Sequence, residues 1–295
     1  MSKHSKQRIL VLGGSGMAGS AIVAHLAATG FEVHWTHSRE AAPWDVGHAH
    51  QFSIKGHGFS FGLEEAENTL VTLLEKVKPF AIVNALRGYG ADQIAVHAGV
   101  PLLLERFATA PIVHISSNGV FRPGEKVYSV ADSPNAVTEY GLIKYLGERS
   151  SQFVIRASII GFPLHEKDPA KYIAKYFEKP PNLEWNGITN YTLGLLVSGV
   201  IGVWVQKEQY VPKIEHICSI PEYWGSVCEW MAAEFKLKYN PPEEKEVAPL
   251  LLAGYLFKDR LKTQIKTMAK GKVKGWTEGM ELFKGNLVST DETQE

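Results

Sequence analysis

Arg8-Ile9-Leu10-Val11-Leu12-Gly13-Gly14-Ser15-Gly16-Met17-Ala18-Gly19 decides the fold. A short apolar run bounded by glycines reads as a buried strand, and the periodic segment from Ala18 to Ala28, closed by Gly30, reads as a helix with a glycine C-cap. Phe31-Glu32-Val33-His34-Trp35-Thr36 then alternates as a second strand, so the chain opens with a βαβ unit. Glycines stand at positions 13, 16 and 19, between the strand and the helix. The first permits a tight turn, the second lets backbone approach a pyrophosphate, and the third lets helix and strand pack closely beneath the helix N-terminus. A glycine triplet alone is weak, but this placement favours dinucleotide binding over a mere turn. Gly13, Ser15, Gly16, Met17, Ala18 and Gly19 are therefore candidate cofactor-binding residues.

Working outward, further strands are predicted at Ala81-Ile82-Val83-Asn84, Ile112-Val113-His114-Ile115-Ser116 and Gln152-Phe153-Val154-Ile155-Arg156, with a helix from Glu64 to Val77. Strand and helix in alternation imply an α/β, Rossmann-type doubly wound parallel sheet, covered on both faces and binding ligands at its carboxyl edge. After Gly161 the alternation stops, and the charges, aromatics and Pro180-Pro181 of 162–181 mark a smaller C-terminal substrate-binding lobe. The expected division is a nucleotide-binding domain over 1–161, rejoined by about 188–215, with 162–295 forming mainly the second lobe and a helical tail. Leu193 to Val205 is apolar but interrupted by Gly194, Ser198, Gly199 and Gly202, and reads as a buried helix too short for a bilayer. The lysine-rich stretch from Lys258 to Lys274 reads as a surface helix.

Bulk properties narrow the partners. Lys plus Arg and Asp plus Glu both number 31, so no net field favours nucleic acid or an anionic membrane, and a small molecule is the expected partner. Two cysteines, Cys218 and Cys228, form no disulfide framework or zinc spacing, which points to a reducing, cytoplasmic setting without a signal peptide. His34, His37, His48, His50 and His57 crowd one stretch around Asp45, but spacing alone does not converge them, and a polar loop of surface histidines is preferred to a metal site.

Thr36-His37-Ser38-Arg39 ends the second strand without the carboxylate that would hold ribose hydroxyls, so Ser38 and Arg39 favour NADPH, with NADH as the alternative. The plainer reading of Arg39 is an ordinary exposed arginine beside Glu40. Tyr140-Gly141-Leu142-Ile143-Lys144 sets a phenol and an ammonium four residues apart on one helix face. A phenol ionising near ~10 relays protons poorly at neutral pH, and an adjacent cation brings it closer. Upstream, Ser116, Ser117 and the loop from Asn118 to Phe121 follow a sheet strand.

These blocks, with Val83-Asn84-Ala85, Asp132-Ser133-Pro134 and Ile155 to Gly161, resemble extended short-chain dehydrogenases, and among them the dTDP-4-dehydrorhamnose reductase-like family of nucleotide-sugar reductases. The resemblance implies an NAD(P)H-dependent oxidoreductase reducing a 4-keto-6-deoxy nucleotide sugar, in deoxysugar synthesis. Tyr140 would be the general acid, Lys144 would bind the nicotinamide ribose and depress the tyrosine pKa, and Ser117 would hydrogen-bond the substrate oxygen. Asn118 and Asn186 would border the sugar, and Ala85, Leu86 and Arg87 the cofactor; Leu86 to Gly90 departs from the family's usual run, and contact with substrate or plain exposure are the alternatives for Arg87. Many relatives read Ser-Thr-Asp-Tyr-Val-Phe where this chain has Ser116 to Phe121, so an acidic and an aromatic side chain are absent. Alternatives are an epimerase or epimerase/reductase of the same family, or a non-catalytic NADP-binding regulatory subunit. A nucleotide sugar is the expected partner, without nucleic acid or membrane, and a homodimer is allowed.

Overall fold

The computed structural model describes residues 7–37, 54–59, 63–88, 90–124, 126–163, 168–178, 188–189, 191–207, 213–239, 250–251, 255–257, 262, 265–266, 269 and 287–289. The quoted stretch folds as read. Strand β1 (Arg8–Leu12) turns into helix α1 (Met17–Ala28), and β2 (Glu32–His37) follows. Helix α1 ends where Thr29 Oγ1 donates to the His25 and Leu26 carbonyls at 3.1 and 2.9 Å. Gly30 then turns the chain at φ 100°.

In chain order come β3 (Ile54–Gly58), α2 (Leu63–Val77), β4 (Ala81–Asn84), α3 (Val100–Phe107), β5 (Ile112–Ile115), β6 (Val127–Tyr128), α4 (Glu139–Glu148), β7 (Phe153–Arg156) and β8 (Ser158–Ile160). They are followed by α5 (Pro169–Glu178), β9 (Ile188–Thr189), β10 (Tyr191–Leu193), α6 (Gly194–Lys207), β11 (Lys213–Cys218), β12 (Glu222–Tyr223) and α7 (Trp224–Phe235). Three short strands, β13 (Leu250–Leu251), β14 (Tyr255–Phe257) and β15 (Leu287–Ser289), come last. The main sheet runs β15-β14-β11-β7-β5-β4-β1-β2-β3, parallel except for the antiparallel pair β14–β15. This is the expected α/β, Rossmann-type sheet.

Why every residue of β1 after Arg8 is apolar is now visible. Ile9 and Val11 face one side, with Ile22, Val23 and Leu26 of α1 and Val197, Val200, Ile201 and Trp204 of α6. Leu10 and Leu12 face the other, with Leu70, Leu73 and Val77 of α2 and Val100 and Leu104 of α3. A parallel strand buried on both faces loses the alternation of a half-exposed one. Glycines of α6 let it approach α1 closely: a Cβ at Gly194 would lie 3.3 Å from Ala18 Cα, and one at Gly202 would meet His25 Nε2 at 2.4 Å.

The structure departs from the expectations at several points. Strand β3 is itself a glycine-containing stretch, Ile54-Lys55-Gly56-His57-Gly58, whose propensity is poor, and its pairing with β2 supplies what sequence preference does not. The buried helix starts at Gly194 rather than Leu193, because residues 191–193 pair with β8. Trp224 packs against Tyr191 and Phe235 against Phe162, so these aromatics are packing. Both cysteines are buried thiols. Among the described residues no helix is long and apolar enough to cross a membrane.

Phe153 is 1% exposed and stacks on Trp204 with ring centroids 4.9 Å apart, joining β7 to α6. Phe153→Ala is expected to lower unfolding free energy by about 3–5 kcal/mol. Urea denaturation followed by tryptophan fluorescence measures it, and a loss within error of zero would place this contact outside the core.

Candidate functional site

Strands β1, β4 and β5 lie side by side, with Leu12 opposite Asn84 and Asn84 opposite His114. The chain therefore leaves all three at one edge of the sheet, and Gly13, Ala85-Leu86-Arg87 and Ser116-Ser117-Asn118 become neighbours. Gly13 adopts φ 77°, and a Cβ there would lie 2.8 Å from the Ala85 carbonyl oxygen. One at Gly19 would lie 2.1 Å from the Gly13 oxygen. The turn is closed by Gly16 N–H donating to Gly13 O and anchored by Gly13 N–H donating to Thr36 Oγ1, both at 2.9 Å.

Helix α1 starts from this turn without a side-chain cap and without an acidic residue in its first turn. Its positive dipole end is thus uncompensated by a side chain, which favours a bound anion. Gly16 is exposed, and Ser15, Met17 and Ala18 are half-buried. A cradle that only glycines allow, opening on a helix N-terminus, fits the pyrophosphate of a dinucleotide.

The facing wall is α4. Thr138 caps it, its Oγ1 accepting from Gly141 N–H at 3.1 Å, which places Tyr140 in the first turn and Lys144 one turn deeper. Lys144 is 3% exposed, and its Nζ donates to the Ile115 carbonyl at 2.6 Å. Burial pulls its pKa down to about 8, the Glu148 carboxylate opposes the fall, and Arg87 adds to it. The ammonium stays largely charged at neutral pH.

Glycines again set the approach: a Cβ on Gly141 would lie 2.0 Å from the Gly119 oxygen, and one on Gly119 would touch the Tyr140 ring at 3.5 Å. The loop carrying Ser117 and Asn118 is thereby pressed against the phenol. Ser117 Oγ accepts from Gly119 N–H at 3.1 Å and donates to Asn118 Oδ1 at 3.4 Å.

Behind Tyr140, His97 stands edge-on at 5.7 Å. It sits in a π-turn, Ala95–Gly99, and its Nε2 accepts from Gly88 N–H at 3.3 Å. Burial, then the charges of Lys144 and Arg87, hold its pKa down to about 3, so the ring is neutral. His114 is likewise kept neutral, well below the usual histidine range, chiefly by burial. Its Nδ1 accepts from the Asn84 amide at 3.3 Å.

The structure thus gathers Gly13, Ser15, Gly16, Met17, Ala18, Gly19, Ala85, Leu86, Arg87, Ser117, Asn118, Tyr140 and Lys144 along one sheet edge. Ser38, Arg39 and Asn186 lie outside the described residues. Sequence reading missed His97, whose π-turn has no simple signature, and Thr36 as the anchor of Gly13. It also missed Glu148 and Arg156, although a charge ending the apolar run Phe153–Arg156 was a signal.

The histidine reading needs correcting for three of the five residues. His34 and His37 belong to β2 and His57 to β3, not to a surface loop; His34 is 6% exposed, and the His34 and His57 rings stack with Nδ1 and Nε2 2.9 Å apart. Strand pairing put them there. Among the described residues no group of His, Cys, Asp and Glu is arranged to hold a metal.

Residues 9–160 match the model of the NAD dependent epimerase/dehydratase family. The chain belongs to this family. It is accordingly an NAD(P)-dependent enzyme of the short-chain dehydrogenase/reductase type. No curated protein matches the sequence significantly. Among solved structures, a dTDP-glucose 4,6-dehydratase from Bacillus anthracis in complex with NAD is similar at 13% identity and TM-score 0.69, over 94% of this chain and 100% of that one. A hypothetical dTDP-4-dehydrorhamnose reductase from Sulfolobus tokodaii is similar at 19% identity and TM-score 0.61, over 83% and 92%. A UDP-glucose 4-epimerase from Thermotoga maritima, with UDP-glucose, is similar at 15% identity and TM-score 0.64, over 91% and 99%. At these identities the likeness is one of fold.

Gly141→Ala tests the candidate site's tightest contact. The methyl group must displace the Gly119 backbone, so stability should fall by about 1–3 kcal/mol. Thermal unfolding with Gly147→Ala as a second close-packed glycine gives the comparison, since a Cβ there meets the His97 oxygen at 2.1 Å. An unchanged melting temperature for Gly141→Ala would mean that the loop yields freely.

Proposed function

We propose that the protein is an NADPH-dependent reductase of a 4-keto-6-deoxy nucleotide sugar. The observation that carries this reading is the buried Lys144 ammonium, one helical turn below Tyr140 and fastened to the strand that delivers Ser117. In this reading Gly13, Ser15, Gly16, Met17, Ala18 and Gly19 hold the pyrophosphate, Ala85, Leu86 and Arg87 line the cofactor, and Ser38 and Arg39 receive the 2′-phosphate. When bound, the dinucleotide supplies a hydride to the carbonyl carbon. Tyr140 holds at its hydroxyl the proton that the carbonyl oxygen takes up. Lys144, kept charged, stabilises the phenolate left behind and binds ribose hydroxyls. Ser117 donates to the same carbonyl oxygen and orients it, and Asn118 and Asn186 border the sugar.

In this reading 1–161 bind nucleotide, 188–215 return to that domain, and the rest of 162–295 forms mainly the substrate lobe, apart from β14 and β15, which extend the main sheet. A homodimer working in the cytoplasm, on a nucleotide sugar from deoxysugar synthesis, completes the proposal. The second reading, an epimerase or epimerase/reductase, is favoured by the family description and by the fold shared with a UDP-glucose 4-epimerase. Cofactor retained and unconsumed through turnover separates it from the first.

Tyr140→Phe is expected to lower turnover by ~100- to 10,000-fold while leaving NADPH affinity unchanged, because only the proton donor is lost. NADPH oxidation with a panel of dTDP-, UDP- and GDP-linked 4-keto sugars measures this, and near-wild-type turnover would remove Tyr140 from the chemistry. For the cofactor, Arg39→Ala should weaken NADPH binding by about 1.5–3 kcal/mol with little change for NADH, the range for hydrogen bonds to charged groups. Fluorescence titration of both nucleotides gives the ratio, and equal losses would leave the NADPH preference without a residue behind it.

A further inference from the structure

Directly beneath the candidate site lies a buried charge cluster with no part in the reaction just described. Glu148 follows Lys144 by one turn on α4 and is 6% exposed. Its Oε1 accepts from Ser116 Oγ at 2.5 Å and from Arg156 Nε at 3.0 Å, and its Oε2 accepts from Arg156 Nη2 at 2.8 Å. Arg156, on β7, is 1% exposed and rests on the Phe121 ring at 4.9 Å. Phe121 in turn stacks on Tyr128 at 4.2 Å. One carboxylate therefore joins α4, the end of β5, β7 and the far end of the loop that carries Ser117 and Asn118.

Desolvating two such ions is expensive, and a well-packed apolar pair is often at least as stable. Stability alone therefore does not explain the pair. Its surroundings offer another reason. Ile115, Ser116 and Ser117 are consecutive: the first is held by Lys144, the second by Glu148, and the third is bonded to Gly119, which packs on the Tyr140 ring. We propose that Glu148 is a positioning residue: it fixes the strand end that presents Ser117, and its negative charge keeps the Lys144 ammonium protonated in its buried place. This rests on the catalytic reading of Tyr140 and Lys144 given above.

The groups facing Lys144 support the assignment. Arg87 after β4 is a cation that works against the ammonium. His97 in the π-turn and His114 on β5 are held neutral. Tyr140, on the same helix, carries its proton in the reacting form. Glu148 is thus the anion that opposes burial, and without it Lys144 must lose its proton at lower pH. The sign follows directly: a reaction that needs Lys144 charged fails as pH rises through its pKa, so removing Glu148 moves the alkaline limb downward.

The test uses full-length protein with 13C-labelled lysine Cε, titrated by NMR through neutral and alkaline pH, the Lys144 resonance being identified by its loss in Lys144→Met. In Glu148→Gln, which keeps an acceptor for Ser116, the Lys144 midpoint is expected to fall by about one pH unit. The alkaline limb of kcat with NADPH and a 4-keto nucleotide sugar should fall in parallel, with KM little changed. An unmoved midpoint overturns the electrostatic role.

Should Glu148→Gln fail to fold, Glu148→Gln/Arg156→Met removes both buried charges and is expected to show the same fall; a wild-type midpoint there overturns the role equally. Glu148→Asp keeps the charge and draws the carboxylate back from Ser116. It should titrate like wild type while losing about ten- to a hundredfold in kcat, and full kcat overturns the positioning role. A shifted Lys144 midpoint in a protein that turns over no 4-keto sugar would instead uphold the charge role of Glu148 and reject the reaction.

Discussion

Lys144 is the group around which this edge of the sheet is built. An ammonium at 3% exposure has lost its water, and three N–H donors must find acceptors or the proton must leave. The Ile115 carbonyl supplies one acceptor because β5 ends there, leaving an oxygen that no neighbouring strand needs. The requirement then spreads outward. Helix α4 has to lie close enough for a lysine to reach strand backbone, and that distance is set by Gly141 against Gly119 and by Gly147 against His97, where any Cβ would collide. The helix cannot rise without breaking the hydrogen bond and cannot settle lower without a clash.

The same economy of side chains governs the other wall. The cradle at the start of α1 exists because Gly13, Gly16 and Gly19 leave backbone bare, and because α1 begins without a capping residue. Two glycine-dependent contacts, one at the end of β1 and one beyond the end of β5, flank the Asn84 to Arg87 segment that joins them. Function therefore sits in the spaces between elements, while the large apolar side chains of the sheet hold the elements at fixed separations.

How much of this could be read from sequence depended on whether the signal was local. The β1 turn and α1 were legible because strand, glycine turn and helix follow one another without interruption. Tyr140 and Lys144 were legible because four residues on a helix are neighbours. Strand β3 was not, since Gly56 and Gly58 dilute its propensity and only pairing with β2 explains it. The histidines show the same limit: His34 and His57 are 23 residues apart in sequence and 2.9 Å apart in space. Glu148 and Arg156 carried no role in the sequence, because their meaning lies in a meeting between a helix and a strand that spacing does not reveal. Ser38, Arg39 and Asn186 rest on sequence reasoning alone.

The pairing of α1 with α6 bears on how the chain is made. Ile22, Val23 and Leu26 bury themselves against residues that follow about 170 positions later, and β11 enters the sheet beyond β7. A ribosome delivering residues singly must release the first βαβ unit long before its cover exists, leaving one face of that unit wet and adhesive for many seconds at usual elongation speeds of about 5–20 residues per second. Small side chains on α1 make that waiting face narrower than leucines would. The late arrival of α6 makes closure of the sheet a slow, non-local event, so the completed nucleotide edge is among the last features the newborn protein acquires.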